Sequence, residues 1–351
     1  MSLPKTLFLS RGSNAVAWYR CALPALALDT DWICYDGTEP PATKLIWGRT
    51  QSPLQLADVA DNYEVVVLQQ PRGAAWLKQI REWQARGIVV LYEIDDWVRG
   101  IRKKDDHDFA AKFDRKAVED MELCMRAADA MIVSTEWLAD RYRSFNPTTF
   151  VCRNGLDLKR YALTRPERDH VTIGWAGATG HANSMRPWVD QVANVLRRRP
   201  DTRFVSIGQK FADLLVPEFG PERALSIPWA PFDTYPAAMT LMDIALAPAG
   251  QDNFYRGKSD LRWLEAGALG IPLVADPLVY PEIEPGVTGF HVATPAEVTA
   301  QLIKLVDDRD LRERVGAAAK AHVVANRSAQ VAAQRWAEVL REVAPAPAIA
   351  A

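Results

Sequence analysis

Between residues 253 and 275 the chain gathers cations, amides and a carboxylate around one predicted helix. The run reads Asn253-Phe254-Tyr255-Arg256-Gly257-Lys258-Ser259-Asp260-Leu261-Arg262-Trp263-Leu264-Glu265-Ala266-Gly267-Ala268-Leu269-Gly270-Ile271-Pro272-Leu273-Val274-Ala275. Ser259 suits an N-cap, because its hydroxyl can accept a hydrogen bond from a free first-turn amide, and Leu261, Leu264, Ala268 and Leu269 supply an apolar stripe. Gly270 stops the helix and Pro272 prevents its resumption. At about 100° per residue, the steps from Lys258 to Glu265 return both side chains to nearly one azimuth, about two turns apart. Lys258 at a helix start is matched to phosphate, together with the free N–H groups there, and Glu265 is matched to ribose hydroxyls. These types and spacings favour a phosphorylated nucleoside. The bland reading of Lys258 is an exposed helix-start lysine, but a cation there opposes the helix dipole unless an anion is bound.

The remaining candidates fall after predicted strands, where loops and helix N-termini converge in open parallel sheets. Ser10-Arg11-Gly12-Ser13-Asn14, with Trp18-Tyr19-Arg20 shortly after it, is a loop in which Gly12 lets backbone approach phosphates; any strand-to-helix turn uses glycine in the same way. Arg20 is in reach of a phosphate or an acceptor acid, or else pairs on the surface. Tyr92-Glu93-Ile94-Asp95-Asp96-Trp97 ends a strand in two carboxylates, which raises the pKa of one of them. Asp95 or Asp96 then orients an acceptor hydroxyl or takes its proton; the alternative is a pair of turn acids capping the next segment of the chain. In Gly174-Trp175-Ala176-Gly177-Ala178-Thr179-Gly180-His181 the three glycines permit close approach to a phosphate, and a helix beginning near Asn183 presents its positive end. His181 either contacts acceptor or diphosphate or is a loop histidine with no ligand. The spacing differs from the dinucleotide Gly-x-Gly-x-x-Gly fingerprint, so a nicotinamide cofactor is not favoured. Asn253 and Arg256 lie in the polar loop that leads to Lys258.

Positioning such residues requires alternating strands and helices, and the chain supplies them. Apolar runs at residues 6–9, 64–68, 88–94 and 130–134, then 171–175, 203–207, 244–247 and 271–275, read as strands. Amphipathic segments such as 76–86 and 185–198 lie between them. The rhythm predicts parallel sheets covered by helices on both faces, in two halves joined by a polar linker at residues 156–170. A last helix at 328–343 carries Val331, Trp336, Val339 and Leu340 for packing, and the Ala/Pro-rich tail is expected to fray.

A chain of 351 residues with 48% hydrophobic content is large enough for two cores. A net charge of −2 and a pI near 6.3 give no broad basic field for nucleic acid. The densest basic run, Arg99, Arg102, Lys103 and Lys104, is followed by Asp105 and Asp106 and reads as a solvated loop. Cys21, Cys34, Cys124 and Cys152 form no Cys-x-x-Cys pair and are expected to be reduced and buried. The start of the chain lacks a signal-peptide pattern, and no window approaches the roughly 20 apolar residues of a membrane span, so a cytoplasmic protein is expected. The Asp-x-Asp spacings at Asp29/Asp31, Asp106/Asp108 and Asp308/Asp310 avoid predicted strand ends and read as loop acids, with no metal site.

The stretch from Glu265 to Val274 resembles the donor-binding helix of retaining GT-B glycosyltransferases, particularly glycosyltransferase family 4, whose pattern is Glu, seven residues, Glu, then Ala-x-Ala-x-Gly-x-Pro-Val-Val. Glu265 fits the second Glu, while Gly257 stands in place of the first, which in the family is held to contact the sugar. Lys258-Ser259-Asp260-Leu261-Arg262-Trp263-Leu264-Glu265 is similar to a subgroup with Lys-Ser-x-x-Lys-x-x-Glu, which also carries a Tyr-Glu-x-Asp-Asp sequence and a Gly-x-x-x-His sequence. The resemblance implies an α/β chain of the GT-B type, two Rossmann-like domains facing each other across a cleft. Its acceptor domain would be residues 1–160, its donor domain 170–327, and 328–351 a terminal helix crossing back to the first domain plus the tail. It implies a UDP- or GDP-sugar co-substrate, no further cofactor, no metal, and front-side attack without a covalent intermediate. The donor site would comprise Gly12, Gly177, Asn253, Arg256, Lys258, Ser259, Leu261 and Glu265. Catalysis would fall to Asp95, Asp96, His181 and Lys258, and acceptor binding to Tyr19 and Arg20. The acceptor is left open as a glycan, lipid, protein or modified DNA base, the last served by Arg102 to Lys104 and the many Trp. A nucleotide-sugar epimerase or a silent binding module on the same frame is the other alternative, kept by the missing first Glu.

Overall fold

Short aliphatic runs form two six-stranded sheets in which every pairing is parallel. The computed structural model describes residues 2–12, 14–35, 59, 61–101, 110–178 and 182–345. The first sheet contains β1 (Thr6–Arg11), β2 (Asp31–Tyr35), β3 (Val65–Gln69), β4 (Val89–Ile94), β5 (Ala130–Val133) and β6 (Thr149–Val151), in the order β2-β1-β3-β4-β5-β6. The second contains β7 (Val171–Gly177), β8 (Thr202–Gly208), β9 (Ala224–Ile227), β10 (Ile244–Ala247), β11 (Leu273–Ala275) and β12 (Phe290–His291), in the order β12-β11-β10-β7-β8-β9. Central strands such as β3 and β10 are buried along their whole length, as helix layers on both faces require. The strand order reverses between β1 and β3 in one sheet and between β7 and β10 in the other, and crevices open at such reversals.

The predicted strand runs all appear, β10 with the expected bounds and the others with one or both ends shifted. The four strands not anticipated, β2, β6, β9 and β12, are the four sheet edges. An edge strand has one partner and a partly wet face, so its residues need not form a continuous apolar run.

The helix Ala329–Val343 is capped by Ser328, whose hydroxyl accepts from the Val331 N–H, and it packs on the first sheet. Trp336 meets Phe8 with ring centroids 5.4 Å apart and shares a core with Cys21, Val67, Leu91 and Ile132. No helix among the described residues is long and apolar enough to cross a membrane.

The helix after Lys258 begins later than expected. It spans Leu261–Ala268, with Asp260 at the N-cap position. Ser259 is not its cap: the Ser259 hydroxyl accepts from Asn154 Nδ2 at 2.9 Å. The Asp260 carboxylate makes no capping bond either, because Arg327 grips both its oxygens at 2.7 and 2.9 Å. The other end behaves as read. Gly270 adopts φ 68°, and the Gly270 and Ile271 N–H groups bond to the carbonyls of Gly267 and Ala266, a Schellman closure.

Candidate functional site

Beyond β1, Gly12 takes φ 73° and donates its N–H to the Tyr35 carbonyl at 2.7 Å, while Asn14 caps the next helical turn through the Ala17 N–H. The helix then widens into a π turn over Trp18–Ala22, which carries Tyr19 and Arg20 inward. Arg20 is 1% exposed and sits 2.6 Å from Glu93, with further bonds to the Cys152 carbonyl and Asn154 Oδ1. Its predicted contact with an acceptor is therefore corrected: this guanidinium is a buried tie between β4 and the end of β6, out of reach of a ligand. Burial pushes the Glu93 carboxyl up, and Arg20 together with Gln69 pulls it back.

Tyr19 is corrected in the same way. Its hydroxyl donates to Glu265 Oε1 at 2.8 Å, and Tyr161 and Tyr235 donate to the same carboxylate at 3.2 and 3.3 Å. Glu265, 6% exposed, thus lies in packed protein between the two halves, enclosed by tyrosines rather than open to a ribose. Desolvation raises its pKa and the three hydroxyls oppose the rise. Lys258 lies outside the Leu261–Ala268 helix, so the shared azimuth expected for Lys258 and Glu265 is not found.

The carboxylates after β4 are partly buried. Asp95 accepts from Gln70 Nε2 at 3.1 Å, and desolvation followed by the neighbouring charge of Asp96 lifts its pKa from 3.8 to about 8. Asp96 reaches across to the second half, where its Oδ1 is 2.7 Å from Lys258 Nζ. These side chains are 15% and 23% exposed, and the ammonium also stands 4.1 Å from the Phe254 ring centroid. Lys258 borders a cavity of about 210 Å³ between the halves, lined by Ser134 to Trp137 on one side and by Leu278, Val279 and Pro281 on the other. Arg256, Lys258 and Arg153, the last ion-paired with Glu282, also line it.

A second, larger cavity of about 580 Å³ opens at the β7/β10 reversal, between Asn183 and Ser184 at the start of the Ala182–Arg198 helix and the loop from Ala249 to Asn253. The short helix Asn253–Arg256 separates the two cavities, so Asn253 faces one while Arg256 and Lys258 face the other. Leu261 is half-buried against the core of the second half. Gly177 ends β7, and a Cβ placed there would lie 2.5 Å from Arg262 Nη2. Gly174 is corrected from phosphate approach to packing, since a Cβ there would strike the Met242 side chain at 2.1 Å. His181, Ser13, Gly180 and the stretch Arg102 to Lys104 lie outside the described residues. No group of three or more His, Cys, Asp or Glu among the described residues is placed to hold a metal.

Sequence reasoning missed Arg153, Arg262, Asn154 and Arg327. Asn154 receives Arg20, bonds Ser259, and offers its carbonyl to Arg327 at 3.0 Å, so it joins the first sheet to the segment before the Leu261–Ala268 helix. Only its place in Asn154-Gly155-Leu156-Asp157, at the end of the first half, signalled it.

Residues 186–340 match the glycosyl transferase-like family model. A search of curated protein sequences found no match. Among solved structures, a glycosyltransferase from Rickettsia africae ESF-5 superposes with a TM-score of 0.67 at 12% identity, covering 97% of this chain and 99% of that one. HepE from Anabaena, solved with UDP and glucose, gives 0.65 at 14% identity over 97% of this chain and all of HepE. A TarM mutant from S. aureus, solved with fondaparinux, alpha-GlcNAc-glycerol and UDP, gives 0.60 at 14% identity over 79% of this chain; the chain spans only 55% of TarM. The chain thus has the GT-B fold, and its residues 186–340 are similar to the glycosyl transferase-like model.

Proposed function

We propose that this protein is a glycosyltransferase that moves a sugar from a UDP-sugar to an acceptor hydroxyl, with retention of configuration. The observation that carries the reading is the Lys258–Asp96 pair, 2.7 Å apart where the two halves meet, beside Arg256 and Arg153. A diphosphate entering there replaces the Asp96 carboxylate as the partner of Lys258, and the freed Asp96 is left to orient an acceptor hydroxyl or take its proton. Lys258, Arg256 and Arg153 then stabilise the charge that develops on the departing UDP. The choice of UDP is supported by HepE and TarM, both solved with it. We further propose front-side attack without a covalent intermediate, no metal and no cofactor, work in the cytoplasm, and an acceptor half of residues 1–160 facing a donor half of 170–327.

The test is to incubate the full chain with UDP-glucose and other UDP-sugars, with and without hydroxyl acceptors, and to follow free UDP and the anomeric signal of the product. Release of UDP that accelerates with acceptor, and an unchanged anomeric configuration, are the expected results. A changed sugar without free UDP would assign an epimerase, and transfer confined to a hydroxylated DNA would move the acceptor to nucleic acid. No UDP release, together with no thermal stabilisation by UDP, overturns the reading.

A further inference from the structure

The second half holds another cavity, of about 340 Å³, at the end of its sheet opposite the two already described. Val171, which opens β7, and Asp243, which immediately precedes β10, both line it, and because β7 and β10 run parallel these positions mark the amino-terminal end of the sheet. Four guanidiniums reach this cavity from segments far apart in the chain. Arg165 and Arg168 come from the linker that leads into β7, and Arg309 and Arg312 from the start of the helix Arg309–Asn326. Two carboxylates are bonded to these four cations. Asp243 Oδ1 accepts from Arg165 at 3.3 Å and from Arg168 at 3.1 Å, while its Oδ2 is taken by the Thr172 N–H at 2.9 Å. Glu313 accepts from Arg309 at 2.6 Å. Arg312 is bonded to no carboxylate among the described residues: its Nη1 donates to the Leu305 and Val306 carbonyls at 2.6 and 2.9 Å. Arg168 Nε is buried without a hydrogen-bond partner. Glu167 and Asp169 stand exposed at the rim, where Asp169 Oδ1 lies 2.7 Å from His170 Nδ1.

Burial pushes the Arg165 and Arg312 guanidiniums below their ordinary basicity; Asp243 opposes the shift, and neighbouring guanidiniums, Arg168 beside the first and Arg309 and Arg165 beside the second, add to it. Cations left short of negative charge around a cavity fit an oxyanion. A guanidinium presents a planar fork of N–H groups that matches phosphate oxygens, and hydrogen bonds between charged groups are stronger than those between neutral ones. We infer that this cavity binds a small phosphate-bearing anion, held by Arg165, Arg168, Arg309 and Arg312, at a site separate from the cleft between the halves. The phosphate supplies the anionic partner that Arg312 lacks. The inference does not depend on sugar transfer.

The test titrates inorganic phosphate and pyrophosphate into the full chain by calorimetry at fixed ionic strength. Lys258→Ala serves as the parent, so that the ammonium of the cleft does not compete, and Arg312→Gln, Arg309→Gln and Glu313→Gln are each added to it. The parent is expected to bind, and Arg312→Gln and Arg309→Gln each to weaken binding by about 10-fold, the scale of one hydrogen bond to a charged group. Glu313→Gln should tighten binding, because it frees Arg309 and removes a negative charge. Arg309 and Glu313 are mostly exposed, and a gain of affinity cannot come from misfolding. No binding to the parent overturns the inference, as does an affinity unchanged by both arginine replacements. An affinity in Glu313→Gln no higher than the parent's also overturns it, since losses in the arginine variants then report on folding alone. A parallel flotation assay uses phosphatidylcholine vesicles with and without phosphatidic acid. Retention on the acidic vesicles, with no binding of the soluble probes, identifies a lipid headgroup as the source of the phosphate and overturns a free anion.

Discussion

Arg20 and Glu93 are both excluded from water, and the cost of desolvating two ions is offset by their 2.6 Å contact and by bonds from Gln69 and to Asn154 and the Cys152 carbonyl. Removing the cation alone leaves a buried carboxylate uncompensated. Arg20→Ala is expected to destabilise the protein by about 3–5 kcal/mol, read as a lower midpoint in urea or heat; a midpoint equal to wild type would refute the buried tie. Asp95 gives a prediction of pH dependence. Its folded-state pKa, about 8, stands above the ordinary 3.8, so the folded protein keeps a proton there that the unfolded chain releases. Its contribution to stability is present below about pH 4 and fades as pH rises toward 8. The stability of Asp95→Asn relative to wild type should therefore increase from pH 4 to pH 8, measured by thermal melts across that range. A difference that stays flat with pH contradicts the raised pKa.

At the scale of elements, the segment 258–275 works because its end is packed against another helix. Gly316 belongs to the helix Arg309–Asn326, and a Cβ on it would sit 2.1 Å from the Gly270 carbonyl oxygen and 2.8 Å from its carbon. Both contacts are backbone, so the turn that joins the Leu261–Ala268 helix to β11 would have to move. Alanine is intrinsically the better helix former by about 1 kcal/mol, yet Gly316→Ala is expected to destabilise by about 1–3 kcal/mol net through overpacking. A chevron or equilibrium melt checks the sign, and a stabilised variant would falsify the close approach. The start of the same segment depends on Asn154, Ser259, Asp260 and Arg327 acting together, which explains why a cap read from Ser259 alone was misplaced.

Across the whole molecule, Lys258 and Asp96 couple the halves, and their pairing is expected to be broken whenever an anion binds. Lys258→Ala should lower the turnover of UDP-sugar by about 100-fold, on the scale of removing one stabiliser of developing charge, while Asp96 stays in place and the fold melts normally. Steady-state kinetics settles it, and turnover equal to wild type would remove Lys258 from the chemistry. The sequence alone determined what depends on neighbouring residues: the βα rhythm of two sheets, the central strands with their unbroken apolar runs, the Gly270 stop, and the carboxylate pair at the end of β4. Edge strands escaped because one-sided pairing leaves a weak pattern. Tertiary structure decided what depends on residues far apart in the chain. Tyr19, Tyr161 and Tyr235 close on Glu265, Arg20 is drawn inward by Glu93, and Lys258 meets Asp96 from the other half. Local periodicity states which face of a helix is apolar; which distant polar group comes to satisfy a buried charge is set only once the sheets and helices have packed.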